Sequence, residues 1–134
     1  MNERVLLVDD DEDLRTLLCE GLQCRGMNVE TVESAQACLR RIEQNQFDVV
    51  VTDVEMPGMN GIELCRLLTR RIPPLLTIVF TSIRDLTTMP AALASGAFEF
   101  LLKPVKLAAL EAAIRRAFGA PRRGSLTAPA LTAR

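Results

Sequence analysis

Short apolar runs alternate with amphipathic stretches along most of the chain, and this rhythm restricts the fold more than any other feature. Val5-Leu6-Leu7-Val8, Val49-Val50-Val51 and the segment Leu75 to Phe80 are near-continuous apolar runs, the pattern of strands covered on both faces. Between them, Leu14, Leu17, Leu18 and Leu22 recur at helical spacing, and Gly26 follows as a stop. Asn28 to Val32 is a weaker, alternating strand suited to a sheet edge. Ser34 is placed as the N-cap of a helix carrying Ala35, Cys38, Leu39 and Ile42. A third strand runs from Phe47 to Thr52 and ends at Asp53; Pro57, Gly58, Asn60 and Gly61 mark a loop. A helix over Ile62 to Arg71 is closed by Pro73-Pro74. The fourth strand ends at Thr81-Ser82, a helix of small residues runs up to Gly96, and Phe98 to Leu102 leads into Lys103-Pro104. The last helix covers Leu107 to Phe118, with Leu110 and Ile114 on its inner face.

Five strands, each followed by a helix, predict one parallel sheet sandwiched between helices, because parallel neighbours need helical crossovers. In such sheets the functional crevice lies beyond the carboxyl ends of the strands. Those ends carry Asp9 and Asp10, then Asp53, then Thr81 and Ser82, then Lys103; the second strand offers only Glu33. The groups that chemistry would use therefore stand where the fold puts its site.

Composition removes several alternatives. A net charge of -1 lacks the excess of basic residues expected of a direct nucleic-acid binder. No apolar run reaches the length of a membrane span, and the N-terminus has no signal-peptide layout, so a cytoplasmic protein is expected. The chain has no His, which excludes a Cys/His zinc site. Cys19, Cys24, Cys38 and Cys65 fall in helix-like segments at no metal-ligand spacing and read as reduced, mostly buried thiols. The core must be aliphatic, since there are five Phe and no Trp or Tyr.

Carboxylates that converge in one crevice cannot all stay ionised without a cation. Their oxygens suit a hard divalent ion such as Mg²⁺, which keeps several waters. A cation would draw in an anion, and phosphoryl is the obvious one, with Lys103 as a point charge and Thr81 as a hydroxyl donor. Asp53 could then act as nucleophile and form an acyl phosphate. Asp11, Glu12 and Asp13 have a simpler reading as cap and first-turn acids of the first helix.

Four motifs carry a family resemblance: the acidic pair in LLVDDD, the segment VVVTDVEMPGMNGIEL, the strand end VFTS, and GAFEFLLKP. In their order and spacing the chain resembles the receiver domain of two-component response regulators, from about Glu3 to Phe118. The resemblance implies a flavodoxin-like (βα)5 fold with strand order 2-1-3-4-5. It divides the chain into a receiver domain over 1–119 and a flexible tail or linker, expected to be disordered, over 120–134.

It implies phosphorylation of Asp53 by a histidine kinase or phosphotransfer protein. Mg²⁺, or Mn²⁺ in its place, would be held by Asp10, Asp9, Asp53 and the backbone carbonyl of Glu55. Lys103 and Thr81 would contact the phosphoryl group, and Ser82 matches the small residue that leaves room for it. Thr81 and Phe100 would form the switch: Phe100 moves inward, and the face of the fourth helix, fifth strand and fifth helix changes toward an output protein or domain. A homodimer formed on phosphorylation is a further partner that the family allows. Such a domain is a phosphoacceptor catalysing only its own phosphorylation and dephosphorylation, not an enzyme acting on other substrates. The Lys103–Pro104 bond is expected to be cis. Phe100 has an alternative reading as a permanently packed aromatic.

Two departures draw attention. Glu55 adds a carboxylate that is expected to pair with Lys103 and alter dephosphorylation. Pro90 is expected in the first turn of a helix that starts late, near Thr87 or Thr88. The tail holds no recognisable output domain, which leaves a free-standing receiver, the leading reading, or the N-terminal part of a longer regulator such as a transcription factor. Other classes are a protein-binding module that does not use phosphorylation and an Asp-nucleophile phosphotransferase or phosphatase of another α/β family. The former would have no need of crowded carboxylates. The latter wants a second Asp two residues after the first, where this chain has Glu55.

Overall fold

In the computed structural model, which describes residues 3–82 and 89–120, the strands are β1 (Arg4–Val8), β2 (Asn28–Val32), β3 (Val49–Asp53), β4 (Leu76–Thr81) and β5 (Glu99–Leu102). The helices are α1 (Glu12–Cys24), α2 (Ala35–Gln44), α3 (Gly61–Thr69), α4 (Met89–Ala94) and α5 (Leu107–Phe118). The sheet is parallel throughout, in the order β2-β1-β3-β4-β5, as expected.

Alternation along the strands sorts the core into two layers. Val5, Leu7, Val49, Val51, Ile78 and Phe80 pack toward α1 and α5, against Leu18, Leu22, Leu110 and Ile114. Leu6, Val8 and Val50 pack the other way, against Cys38, Ile42, Leu64 and Leu68. A third, smaller cluster joins Val54, Ile62, Cys65, Val79 and Ala92, with Phe100 and Ala97 against it. All five residues of β3 are buried, as a central strand requires. Each fully buried aliphatic side chain contributes about 1.5–3 kcal/mol, so a mainly aliphatic double layer, with Phe80 in one layer and Phe47 in the other, holds the domain together.

Helix ends follow local chemistry. Asp11 caps α1 by accepting from the N–H groups of Asp13 and Leu14, and Ser34 caps α2 through Ala37 N–H. Gly26, at φ 85, turns the chain out of α1 in the left-handed region that a side chain disfavours. Asn60 and Glu63 form a reciprocal capping box on α3, so that helix starts at Gly61 and ends at Thr69, earlier at both ends than the apolar pattern suggested.

Other differences have equally local causes. β3 starts at Val49 rather than Phe47, whose ring lies under the guanidinium of Arg4 at 4.6 Å. Leu17 is 66% exposed, because the buried stripe follows the four-residue spacing of Leu14, Leu18 and Leu22 and Leu17 lies about 100° around the helix from Leu18. Cys38 and Cys65 are buried, Cys19 is half-buried and Cys24 is exposed, so the thiols are less uniformly buried than expected. The expected start of α4 at Thr87 or Thr88 lies outside the described residues; in α4 as described, Pro90 is the second residue. The Lys103–Pro104 peptide is cis. Apart from Ala120, the expected tail lies outside the described residues.

Candidate functional site

Strand register brings the site together. Val8 pairs with Thr52, so Asp9, the next residue, stands level with Asp53. Asp53 pairs with Phe80, and Thr81, one step further, pairs with Leu102. Lys103 follows, its backbone N–H donating to Thr81 O at 2.7 Å. Carboxylate oxygens of Asp9, Asp10 and Asp53 lie within 4.8 Å of one another, and Lys103 Nζ donates to Asp53 Oδ2 at 2.9 Å.

Asp9 is fully buried and held at three points. Its N–H donates to Val32 O at 3.2 Å, its Oδ1 accepts from Asp11 N–H at 3.0 Å, and its carbonyl accepts from Arg15 Nη1 at 2.8 Å. Its Oδ2 is buried with no hydrogen-bond partner. Burial pushes the Asp9 carboxyl up from 3.8 to about 6; the Asp11 N–H opposes the rise, and the charges of Asp53 and Asp10 add to it. Burial also raises Asp53, against the pull of Lys103 and the backbone N–H groups of Glu55 and Val54. For Lys103, burial works downward, but the hydrogen bond and charge of Asp53, with Asp9 and Glu55 behind them, hold the ammonium above its ordinary value.

Three carboxylates against one ammonium leave surplus negative charge in a partly dry crevice. An all-oxygen donor set containing one buried, unsatisfied carboxylate oxygen fits a hard divalent cation. The remaining candidates surround this centre. Thr81 is buried and Ser82 half-buried beside it. Glu55 is exposed, its N–H 3.4 Å from Asp53 Oδ1. Phe100 is half-buried against the third cluster, one strand over from the site.

Three residues contribute contacts that the sequence pattern did not assign to them. Gly61 is one: a Cβ there would stand 2.0 Å from Asp53 O, so only glycine lets α3 start against the Asp53 backbone. Phe80 is another, its buried ring 5.4 Å below Lys103 Nζ, within cation–π range. Arg15 is the third, and its spacing from Asp11 would suggest only a surface helix pair. A glycine opening a helix and a phenylalanine near the end of a strand are ordinary in sequence; their role follows from what the fold sets beside them.

Residues 5–115 match the response regulator receiver domain family. The chain is 36% identical over 113 residues to the DNA-binding transcriptional regulator NtrC of Azospirillum brasilense, covering 84% of this chain and 24% of that protein. It is 36% identical over 111 residues to the transcriptional regulatory protein AfsQ1 of Streptomyces coelicolor, covering 83% of this chain and 49% of that one. The chain thus spans about a quarter to a half of the length of these relatives. A response regulator receiver domain protein from Clostridium thermocellum superposes with a TM-score of 0.82 at 32% identity, over 87% of this chain and 94% of that one. FixJ-N superposes at 0.81 with 34% identity, over 87% and 94%. Among the described residues, no helix is long and apolar enough to cross a membrane. Sequence match, strand order and structural likeness agree, and the chain belongs to the response regulator receiver domain family, a family of signalling domains.

Proposed function

We propose that this domain is a phosphorylation-operated switch in which Asp53 accepts a phosphoryl group from a phosphohistidine of a sensor histidine kinase or phosphotransfer protein. The observation that carries the reading is the convergence of Asp9, Asp10 and Asp53 on one crevice, with Lys103 Nζ 2.9 Å from Asp53 Oδ2. In the transfer an Asp53 carboxylate oxygen attacks phosphorus in line; the O–P bond forms as the N–P bond of the donor breaks, and the imidazole nitrogen keeps the electron pair. Lys103 moves part of its charge from the carboxylate to the incoming phosphoryl oxygens. Thr81 donates its hydroxyl, and Ser82 leaves room for the group. Asp9, Asp10, Asp53 and the Glu55 carbonyl would hold Mg²⁺, with Mn²⁺ as a substitute; when bound, the ion neutralises charge on the phosphoryl oxygens.

The buried Thr81 hydroxyl and the half-buried Phe100 ring supply the switch. As Thr81 turns toward the phosphoryl group, Phe100 moves inward, and the face of α4, β5 and α5 changes for an output protein or domain, or for a second copy of the chain. Relatives named as transcriptional regulators support a regulatory output partner, and a cytoplasmic setting goes with a kinase donor. Glu55, which acts electrostatically on Lys103, sets the lifetime of the acyl phosphate; an unchanged lifetime in Glu55→Asn would remove that role.

Incubation with Mg²⁺ and acetyl phosphate, followed by intact-mass measurement, tests the reading. The expected result is a labile adduct of one phosphoryl group, lost in Asp53→Ala. No adduct with acetyl phosphate or a phosphohistidine donor overturns it.

A further inference from the structure

Asp9 is clamped through its N–H, its carbonyl and one carboxylate oxygen, and only Oδ2 is left over, buried and unsatisfied. Two of these three bonds are backbone N–H contacts that follow from the strand and the turn. The third comes from a side chain, Arg15 Nη1 to Asp9 O at 2.8 Å. Asp9 O belongs to the peptide that joins Asp9 to Asp10, so whatever grips it orients both carboxylates of the acid pair. Arg15 is half-buried and sits in the first turns of α1, whose start is fixed independently by the Asp11 cap. The guanidinium therefore reaches back from an anchored helix to the loop that carries the acids.

We propose that Arg15 is a positioning residue for the cation site: by donating to the Asp9 carbonyl, it fixes the Asp9–Asp10 peptide so that both carboxylates face Asp53. This rests on the reading of the acid pocket as a divalent-cation site. It also makes a prediction opposite in sign to simple electrostatics. As a mere positive charge near the pocket, Arg15 would repel a cation, and removing it would tighten binding. As a brace behind the ligands, its removal loosens binding, and loss of such outer partners typically costs about 10–100-fold in metal affinity.

Calorimetric titration of the full chain with MgCl₂, comparing wild type, Arg15→Met and Arg15→Lys, decides between them. Binding by wild type is expected, with affinity about tenfold weaker in Arg15→Met and partly recovered in Arg15→Lys, whose ammonium can still donate. A second readout, independent of the ion, is the ¹⁵N–¹H signal of Asp10 in Mg²⁺-free protein. Its amide shares the peptide with the Asp9 carbonyl, so it shifts in Arg15→Met and returns toward wild type in Arg15→Lys. Unchanged or tighter Mg²⁺ binding in Arg15→Met, or an unmoved Asp10 signal, overturns the role of Arg15 while leaving the site intact. Absence of Mg²⁺ binding in wild type overturns the site reading and the role with it. If Arg15→Met does not fold, judged by circular dichroism, Arg15→Lys stands alone: weaker Mg²⁺ binding together with a shifted Asp10 signal supports the brace, and wild-type values for both overturn it.

Discussion

Two knots of charge flank β1, and they are resolved in opposite ways. Near its start, Glu30 accepts from Arg4 and from Arg41, at 2.7 Å and 2.8 Å in the latter case. The Arg4 and Arg41 guanidiniums also lie over the Phe47 ring, at 4.6 and 5.9 Å. Both oxygens of that carboxylate are occupied, and the cluster ties β1, β2 and α2 together. Just past the other end of β1, Asp9, Asp10 and Asp53 share one ammonium, and a buried oxygen of Asp9 has no partner. Balanced charge at one end serves the architecture. At the other end the charge is unbalanced, and a buried, unbalanced cluster in a crevice is the electrostatic mark of a functional-site candidate rather than of a structural ion-pair network.

The sharpest way to break the comparison is to remove a carboxylate from each knot. Asp10→Ala should abolish Mg²⁺-dependent phosphorylation by acetyl phosphate in intact-mass measurements, whereas Glu30→Gln should leave it unchanged. Loss in both would mean that the two knots are not functionally distinct. Next in size, Gly61→Ala drives a Cβ into the Asp53 carbonyl; overpacking of this kind costs about 1–3 kcal/mol, to be read by urea denaturation, and it should slow phosphorylation because it displaces the Asp53 backbone.

Asp9→Asn should do the reverse to stability. With the Asp9 carboxyl raised from 3.8 to about 6, the native state holds that proton more tightly than the unfolded chain does. This group's contribution is therefore fully present below the unfolded value of 3.8 and is lost as pH rises through about 6. Without divalent cations, the difference in stability between Asp9→Asn and wild type should favour the variant at pH 7, by at most about 3 kcal/mol, and shrink as pH falls toward 4. Mg²⁺ should raise the wild-type melting temperature at pH 7, and Asp9→Asn should blunt that rise. The smallest effect belongs to the balanced knot: Glu30→Gln should lower stability by about 1 kcal/mol, because its partly exposed ion pairs are screened by solvent.

Much of this molecule is legible from local pattern. The apolar runs of β1, β3 and β4, the Ser34 cap and the inner positions Leu110 and Ile114 of α5 all express short-range periodicity or capping, which the neighbouring residues alone determine. The acid pocket was legible for a different reason: parallel strands deliver their carboxyl ends to one edge, so residues at those ends converge whatever lies between. Leu17 escaped because helical spacing tolerates two adjacent stripes, and only packing against the sheet selects one. Arg15 and Phe80 escaped, and Gly61 was legible only as a loop and motif residue, because the part each plays is defined by what it touches.

The sequence by itself determined the order of elements, the parallel sheet and the identity of the groups at its carboxyl edge, because period, capping and strand termini are short-range properties. Tertiary structure alone decided which of those groups are dry, which are paired and which are left wanting. Lys103 meets Asp53 across 50 residues of chain, and α3 closes on the Asp53 backbone through a glycine. Arg15 turns from the helix surface to the Asp9 carbonyl. Burial and charge balance are sums over everything nearby in space, and strand register is what makes those residues neighbours.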